Sequence, residues 1–411
     1  MRQLVHVLLL VGIALVLVYG TPFVTKRLPD LTTSVLKPRD STIGTIMEDA
    51  SRLPLTVPAG FSIHVFADDL DGPRVMTRDP NGDLVVSLTR AGKIVVLPDR
   101  NGNGVADENI IVLEGLDRPH GVVFRCQEAG VPSTRSCLLY VAEEGAVSEY
   151  QYNSDTKIAS ARRNVIDLPT RGGGHFTRTL LWEPGTDRLL VSVGSSCNVC
   201  IEDDSRRASI LAVTVEDATS GVYARGLRNA VFMAIHPVTG LIWASENGRD
   251  NLGDDLPPDE INIVNEGGNY GWPICFGDNV HDTSFDKNVY IRDPCMEPFE
   301  TPSWIDLPAH SAALGLDFVP EEGWPESLWF DLIVAYHGSW NRTEKTGYKL
   351  VRLRLDEQGM LEGMEDFVTG WLAPDGKVLG RPVDVRIEPG GIMYVTDDYA
   401  GVVYRITYQS R

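Results

Sequence analysis

The sequence predicts an all-β fold, a six-bladed β-propeller of four-stranded antiparallel blades with long inter-blade insertions. Three observations predict it. One strand-turn-strand pattern recurs six times. Glycine and proline are plentiful, 39 and 25 residues in 411, without any low-complexity tract, so turns are many. One spare strand, Phe61-Ser-Ile-His-Val-Phe-Ala67, precedes the first repeat, where it can join the last blade and close the ring.

The chain opens on Arg2 and an apolar run from Leu4 to Tyr19, broken only by His6 and Gly12. With the small Val18 and Gly20 at its end, the run suits a signal-peptide core and is slightly short for a membrane span. An uncleaved anchor, tethering the protein to a membrane through residues 4–19, is the other reading. Under both, the rest of the chain is exported, to a periplasm or the cell exterior. A linker then occupies residues 21–53, and the propeller residues 54–411.

The repeats begin at Arg74, His120, His175, Arg228, His310 and Arg381, at intervals of 46 to 82 residues. That spacing starts at blade length, and the wider intervals hold insertions, notably 251–308. In each repeat a polar residue opens an apolar strand. A turn with Pro, Gly, Asn or Asp follows, and a second apolar strand ends in a polar loop. Leu84-Val-Val-Ser87, Leu241-Ile-Trp-Ala-Ser245 and Ile392-Met-Tyr-Val-Thr396 are such second strands. A pair of β-sandwiches would also use short strands, but six similar copies argue against it.

Neighbouring strands of a blade are antiparallel, so the start of the first and the end of the second share one end of the blade. The first strand of a propeller blade lines the central channel. The six starts should therefore ring one channel mouth. Thr89-Arg90, Glu143-Glu144, Ser195-Ser196, Glu246-Asn247-Gly248, His337-Gly338-Ser339 and Asp397-Asp398 should join them. Three arginines and three histidines are not core chemistry. Guanidinium forks bind carboxylates, and a partly buried histidine is a base near neutral pH. The plainer reading is that some of these residues cap strands or pair with Asp397 and Asp398.

With 37 Lys and Arg against 57 Asp and Glu, the net charge is −20. That argues against nucleic acid, whose phosphates need cationic partners, and suits neutral or cationic small molecules. The six cysteines fall as Cys126/Cys137, Cys197/Cys200 and Cys275/Cys295, local pairs that could close short loops in an oxidising compartment. Proximity does not settle the connectivity. Zinc at Cys197-Asn-Val-Cys200 would need a second ligand pair of suitable spacing, which the sequence lacks. In Asp99-Arg-Asn-Gly-Asn-Gly-Val-Ala-Asp-Glu108, oxygens of Asp99, Asn101, Asn103 and Asp107 alternate around glycines as in calcium loops, but Ile110 replaces the bidentate glutamate. Calcium and a plain Asn-Gly turn both remain open there. Asn341-Arg-Thr343 fits a glycosylation sequon.

Several motifs give the chain a resemblance. They are Gly226-Leu-Arg-Asn229, Ser245-Glu-Asn-Gly-Arg-Asp250, Pro257-Pro-Asp-Glu-Ile-Asn262, Gly268-Asn-Tyr-Gly-Trp-Pro273, His337-Gly-Ser-Trp-Asn-Arg342 and Arg381-Pro-Val-Asp384. In this order, over roughly residues 54 to 408, the chain resembles the soluble sugar dehydrogenases that depend on pyrroloquinoline quinone (PQQ), especially their sorbosone and pyranose dehydrogenase branch. The resemblance implies oxidation of an aldose or a sugar aldehyde such as sorbosone by hydride transfer to PQQ. It implies His175 as the general base, and calcium at the backbone carbonyls of Gly248 and Arg249 as a Lewis acid. Arg228, Asn229 and Arg381 match family contacts to PQQ, and the ring argument adds Arg74. The glucose-oxidising branch has an aspartate that orients the base, where this chain has Gly194-Ser-Ser-Cys197. It has a paired arginine where this chain has Val383, and a lysine over the cofactor where His337 or Arg342 must serve. These departures favour the sorbosone and pyranose branch.

The expected partner is a small sugar; the electron acceptor is unspecified. One rival is a calcium-dependent lactonase-like hydrolase, with Glu246, Asp397 and Glu143 as metal carboxylates. Another is a propeller that binds a glycan or protein without catalysis.

Overall fold

Apolar runs of five to eight residues between glycine and asparagine turns make strands that are buried on both faces. In Leu84–Leu88 and Ile242–Glu246 every residue is buried. The computed structural model describes residues 53–127, 136–170, 174–298 and 300–409. Among them such strands assemble into six four-stranded antiparallel sheets, the blades of one propeller. The inner strands of blades 1 to 6 are Pro73–Arg78, Val122–Gln127, Leu180–Trp182, Ala230–Ile235, Ala313–Phe318 and Pro382–Glu388. Blade 6 is completed by Phe61–Ala67, which pairs with Val402–Tyr408 so that Phe61 faces Tyr408. The spare strand therefore closes the ring as expected. The expected leader, and all but the last residue of the linker, lie outside the described residues. Among the described residues no helix is long and apolar enough to cross a membrane.

Four inner strands bulge near their starts, where pairing slips at Pro73/Met76, Ala230/Phe232, Ala313/Leu316 and Pro382/Val385. A bulge leaves an amide without its ladder partner and re-aims the side chains beside it. A hydroxyl from the second strand takes that amide in three of the four. Ser87 Oγ accepts from Val75 N at 3.0 Å, Ser245 Oγ from Phe232 N at 3.3 Å and Thr396 Oγ1 from Asp384 N at 2.9 Å. These hydroxyls belong to the Leu-Val-Val-Ser, Ile-Trp-Ala-Ser and Met-Tyr-Val-Thr strands. The repeated motif thus shapes the channel wall.

Apolar side chains fill the spaces between blades, with Trp243 and Trp371 fully buried. Polar clamps tie neighbouring blades. Arg78 of blade 1 donates to both oxygens of Glu388 of blade 6 at 2.7 and 2.5 Å. Lys157 and the Tyr152 hydroxyl of blade 2 reach Asp79 of blade 1 at 2.7 and 2.8 Å. All three local cysteine pairs are disulfides: Cys126–Cys137, Cys197–Cys200 and Cys275–Cys295. This corrects the zinc alternative, because both sulfurs of the Cys197/Cys200 pair are spent on each other.

Burial also raises the pKa of interior carboxyls. It pushes Asp259, Asp317 and Asp397 up to about 6, Glu260 and Asp384 to about 7, and Glu300 to about 8. Burial lowers His175 and His337 to about 4. The raised carboxyls favour the folded state fully below their unfolded values near 4, and that stability is lost as pH rises through 6 to 8. The four histidines whose pKa burial lowers, His120, His175, His236 and His337, work in the opposite direction below 6.5. Because the carboxyls outnumber them, the melting temperature is expected to be higher at pH 5 than at pH 8. Equal values from differential scanning calorimetry at the two pH values would contradict this assignment.

Candidate active site

Five of the six repeat starts meet at one channel mouth. Arg74, His175, Arg228, His310 and Arg381 line a single pocket of about 230 Å³, together with Asn229, Gly248 and His337. His120 does not reach it. Its ring is fully buried, edge-on to Phe176 and Phe232, and burial beside Arg74 holds its pKa well below the usual value.

His175 follows a glycine-rich stretch and enters blade 3. Its Nδ1 lies 2.9 Å from the Ser195 carbonyl and 3.0 Å from Ser195 Oγ. The Ser195 hydroxyl donates its one proton to the Cys197 carbonyl at 2.6 Å, so Ser195 Oγ can only accept from His175. Both partners of Nδ1 are acceptors. Nδ1 therefore carries the proton, and Nε2 is left with a bare lone pair. Burial, with Arg228 nearby, lowers the pKa to about 4, so the ring is neutral at physiological pH. Behind it the buried Arg178 braces the strand entry, donating Nη1 to the His175 carbonyl at 2.9 Å. Gly194 makes room: a Cβ there would stand 2.6 Å from Asn229 Oδ1 and 2.7 Å from His175 Cβ.

Arg228 is held by the protein itself. Its Nε donates to the Asn198 carbonyl at 2.9 Å, and Nη1 donates to the carbonyls of Asn247 and Gly248 at 3.0 and 2.8 Å. Its Nη2 donates to Asn198 Oδ1 and Asp250 Oδ2 at 3.0 and 2.9 Å. A guanidinium has five N–H groups, so none is left for a ligand in this arrangement.

Arg74 and Arg381 differ from it. Arg74 Nη1 pairs with Asp398 at 2.7 Å, the plainer reading of the ring, but among the described residues its buried Nε has no partner. Asp398 also takes His337 Nε2 at 2.9 Å, and burial lowers the His337 pKa to about 4 despite that partner. Arg381 donates Nε and Nη2 to the carbonyls of His337 and Gly338 at 3.1 and 2.9 Å. Among the described residues no carboxylate forms an ion pair with it, and the Tyr348 ring lies 5.8 Å from it. Asn229 Oδ1 and Asn341 Oδ1 are likewise buried without partners among the described residues.

Other expected site residues stand elsewhere. Arg342 is not among the pocket residues. It donates to the carbonyls of Asp254, Ala309 and Glu344 and pairs with Asp255 at 3.2 Å, bracing the blade 4 insertion. The Arg249 side chain pairs with Asp282 at 2.5 Å. In the Asp99 loop, Asp99 accepts the amides of Asn103 and Gly104, and Asn103 Oδ1 accepts that of Val105. Asn101 Nδ2 donates to Asp107 at 2.9 Å, so side chain and backbone close the turn between themselves. Asn341 points away from glycosylation, its Nδ2 donating to Asp250 at 3.0 Å inside the pocket. The carboxylates assigned to the hydrolase rival do not converge. Glu246 accepts Arg228 N at 2.6 Å, Asp397 accepts Arg381 N at 2.9 Å, and Glu143 accepts Asp117 N at 2.8 Å. Each caps the opening of its own blade.

The sequence reading missed Ser195 as the partner of His175, and it missed Asn198, Asp250, Trp340 and Asn341. Asp250, Trp340 and Asn341 sit inside motifs already singled out, which was the available signal. Asn198 has none beyond its place between two cysteines.

The fold has known counterparts. The holo form of the pyranose dehydrogenase PQQ domain from Coprinopsis cinerea superposes with a TM-score of 0.71 at 22% identity, covering 87% of this chain and 98% of that one. In sequence, the PQQ-dependent sugar dehydrogenase of Hypocrea jecorina is 29% identical over 266 residues, 55% of this chain and 59% of that protein. The aldose sugar dehydrogenase of Escherichia coli is 27% identical over 385 residues, 85% and 94% of the two chains. Residues 55–409 match the TrAA12-like family. Six blades, a cation-lined mouth and that match agree, and the chain belongs to the TrAA12-like family of PQQ-dependent sugar dehydrogenases.

Proposed function

We propose that the protein is an exported quinoprotein that oxidises an aldose, or a sugar aldehyde such as sorbosone, with His175 as general base. The observation that carries this reading is that one pocket joins an arginine without a carboxylate partner, Arg381, to a neutral imidazole with a bare Nε2. They come from blades 3 and 6, opposite each other in a six-fold ring. The three disulfides support an oxidising compartment.

PQQ fits the donor set, because a tricarboxylate needs unspent cationic donors and the buried Arg74 Nε is one. Arg381 and Arg74 would hold its carboxylates, with Asn229 and His337 beside them. When bound, PQQ supplies a two-electron acceptor for hydride leaving the anomeric carbon. His175 Nε2 takes the proton of the anomeric hydroxyl, and Arg178 and Ser195 keep the ring in place. Trp340, 71% exposed at the rim, offers an apolar face to the sugar ring, and Asn341 Oδ1 an acceptor for a hydroxyl. Calcium does not fit the residues as they stand. The Gly248 carbonyl accepts from Arg228, so a second cation there would sit against a guanidinium. The mechanism therefore routes nothing through a metal.

Titrating the purified apoprotein with PQQ should give a saturable bound-quinone absorption band. A panel of aldoses, lactols and sugar aldehydes should then drive dye reduction. Saturable quinone binding without reduction by any sugar would sink this reading, and no quinone binding at all would point to the non-catalytic rival.

A further inference from the structure

The loop between the second and third strands of blade 3 touches both sides of the catalytic chemistry. Cys197 and Cys200 close it into a four-residue turn, and both cysteines are half-buried. On one side the Cys197 carbonyl takes the Ser195 hydroxyl, which leaves Ser195 Oγ as an acceptor for His175 Nδ1. On the other side Asn198 holds Arg228 through its carbonyl and its side-chain oxygen. Asn198 also reaches the next blade, with Nδ2 on the Asp250 carbonyl at 2.9 Å and Oδ1 on the Asp250 amide at 2.7 Å. Glu202 fixes the shoulder of the turn, accepting Ser196 N and Ser196 Oγ at 2.6 and 2.7 Å.

A serine hydroxyl turns freely unless its proton is committed. Were the Cys197 carbonyl to move, Ser195 could donate to Nδ1 instead. The imidazole proton would then shift to Nε2, the nitrogen that must be bare for the base. The turn thus removes the one donor that could compete with the Ser195 carbonyl, an acceptor, for Nδ1, and so helps keep Nε2 bare. We propose that Ser195 is the positioning residue of the base, and that the Cys197–Cys200 disulfide holds it in that role while anchoring Arg228 through Asn198.

The inference rests on the dehydrogenase reading for its effect on turnover, but not for its effect on His175. It makes the site sensitive to reduction. A dithiol reductant would pass two electrons to the Sγ–Sγ bond. That bond breaks, each sulfur takes up a proton, and the reductant closes its own disulfide.

The test uses the full chain in three forms: wild type, Ser195→Ala, and Cys197→Ser with Cys200→Ser. Nitrogen NMR of 15N-labelled histidine reads the His175 tautomer directly, with His175→Asn to assign the signal. Wild type should show a protonated Nδ1 and a bare Nε2 at pH 7, and the cysteine variant a mixture of tautomers. On PQQ-loaded protein, kcat should fall roughly tenfold to a hundredfold in the cysteine variant, the range for partners that orient a reacting group. The acid limb of its pH profile should move, while the KM for sugar stays near the wild-type value. Ser195→Ala keeps the carbonyl acceptor of Nδ1 and should lose less. A control, Cys126→Ser with Cys137→Ser at the far end of blade 2, should match wild type in tautomer and turnover. An unchanged tautomer in a cysteine variant that still melts cooperatively overturns the proposal. A shifted tautomer with unchanged turnover upholds the positioning role and removes His175 as the base.

Discussion

His175→Ala should abolish sugar-driven dye reduction while the protein still binds PQQ. General-base catalysis contributes typically 10²–10⁴-fold, and kcat should fall by about that much. The structure gives the reason in two atoms. Nδ1 is committed to Ser195, and among the described residues Nε2 has no hydrogen-bond partner. PQQ titration should change little, because the cationic donors with unspent capacity are Arg74 and Arg381. The wild-type pH profile carries the same signature. With the imidazole held down to about 4, the base is protonated only below that pH, so kcat/KM should rise through an acid limb near 4 and not near 6.5. His175→Ala should lack that limb. A mutant with wild-type turnover, or one that keeps the acid limb, would remove His175 from the mechanism; a limb near 6.5 in the wild type would contradict the lowered pKa alone.

Arg381→Ala should produce the second large effect, a loss of PQQ affinity. Hydrogen bonds to charged groups contribute about 1.5–3 kcal/mol each, which converts to roughly a 10- to 150-fold weaker Kd for one lost contact. Arg381→Lys should restore only part, since an ammonium keeps the charge but not the planar fork. Arg228→Ala belongs to a different class. Arg228 ties Asn198, Asn247, Gly248 and Asp250 together, so its loss loosens two loops at once. Unaltered PQQ titration in Arg381→Ala would place the cofactor carboxylates elsewhere.

Much of this was legible in the sequence, for identifiable reasons. Strand alternation and turn chemistry are local, so the six blades and the closing strand Phe61–Ala67 could be read directly. The ring of strand starts followed from antiparallel pairing alone, and five of its six members share the pocket. His120 fails because Phe176 and Phe232 cover it. What a side chain donates to was not legible. Arg228 and Arg342 look like free forks in the sequence, yet carbonyls and carboxylates from distant loops take their protons. Such contacts depend on loop paths that no periodicity encodes. Ser195 was hidden for the same reason. Its value lies in a commitment to the Cys197 carbonyl two residues on, and not in its chemical type.

The closing strand has one more consequence. Phe61–Ala67 and Val402–Tyr408 lie far apart in sequence and pair in continuous register from Phe61 to Val65, with Ser62 Oγ 2.8 Å from Thr407 Oγ1. During synthesis the first strand must therefore wait, unpartnered, until the last has left the ribosome. Five blades can settle while the sixth stays open. Its bare edge is a hazard until the clasp forms.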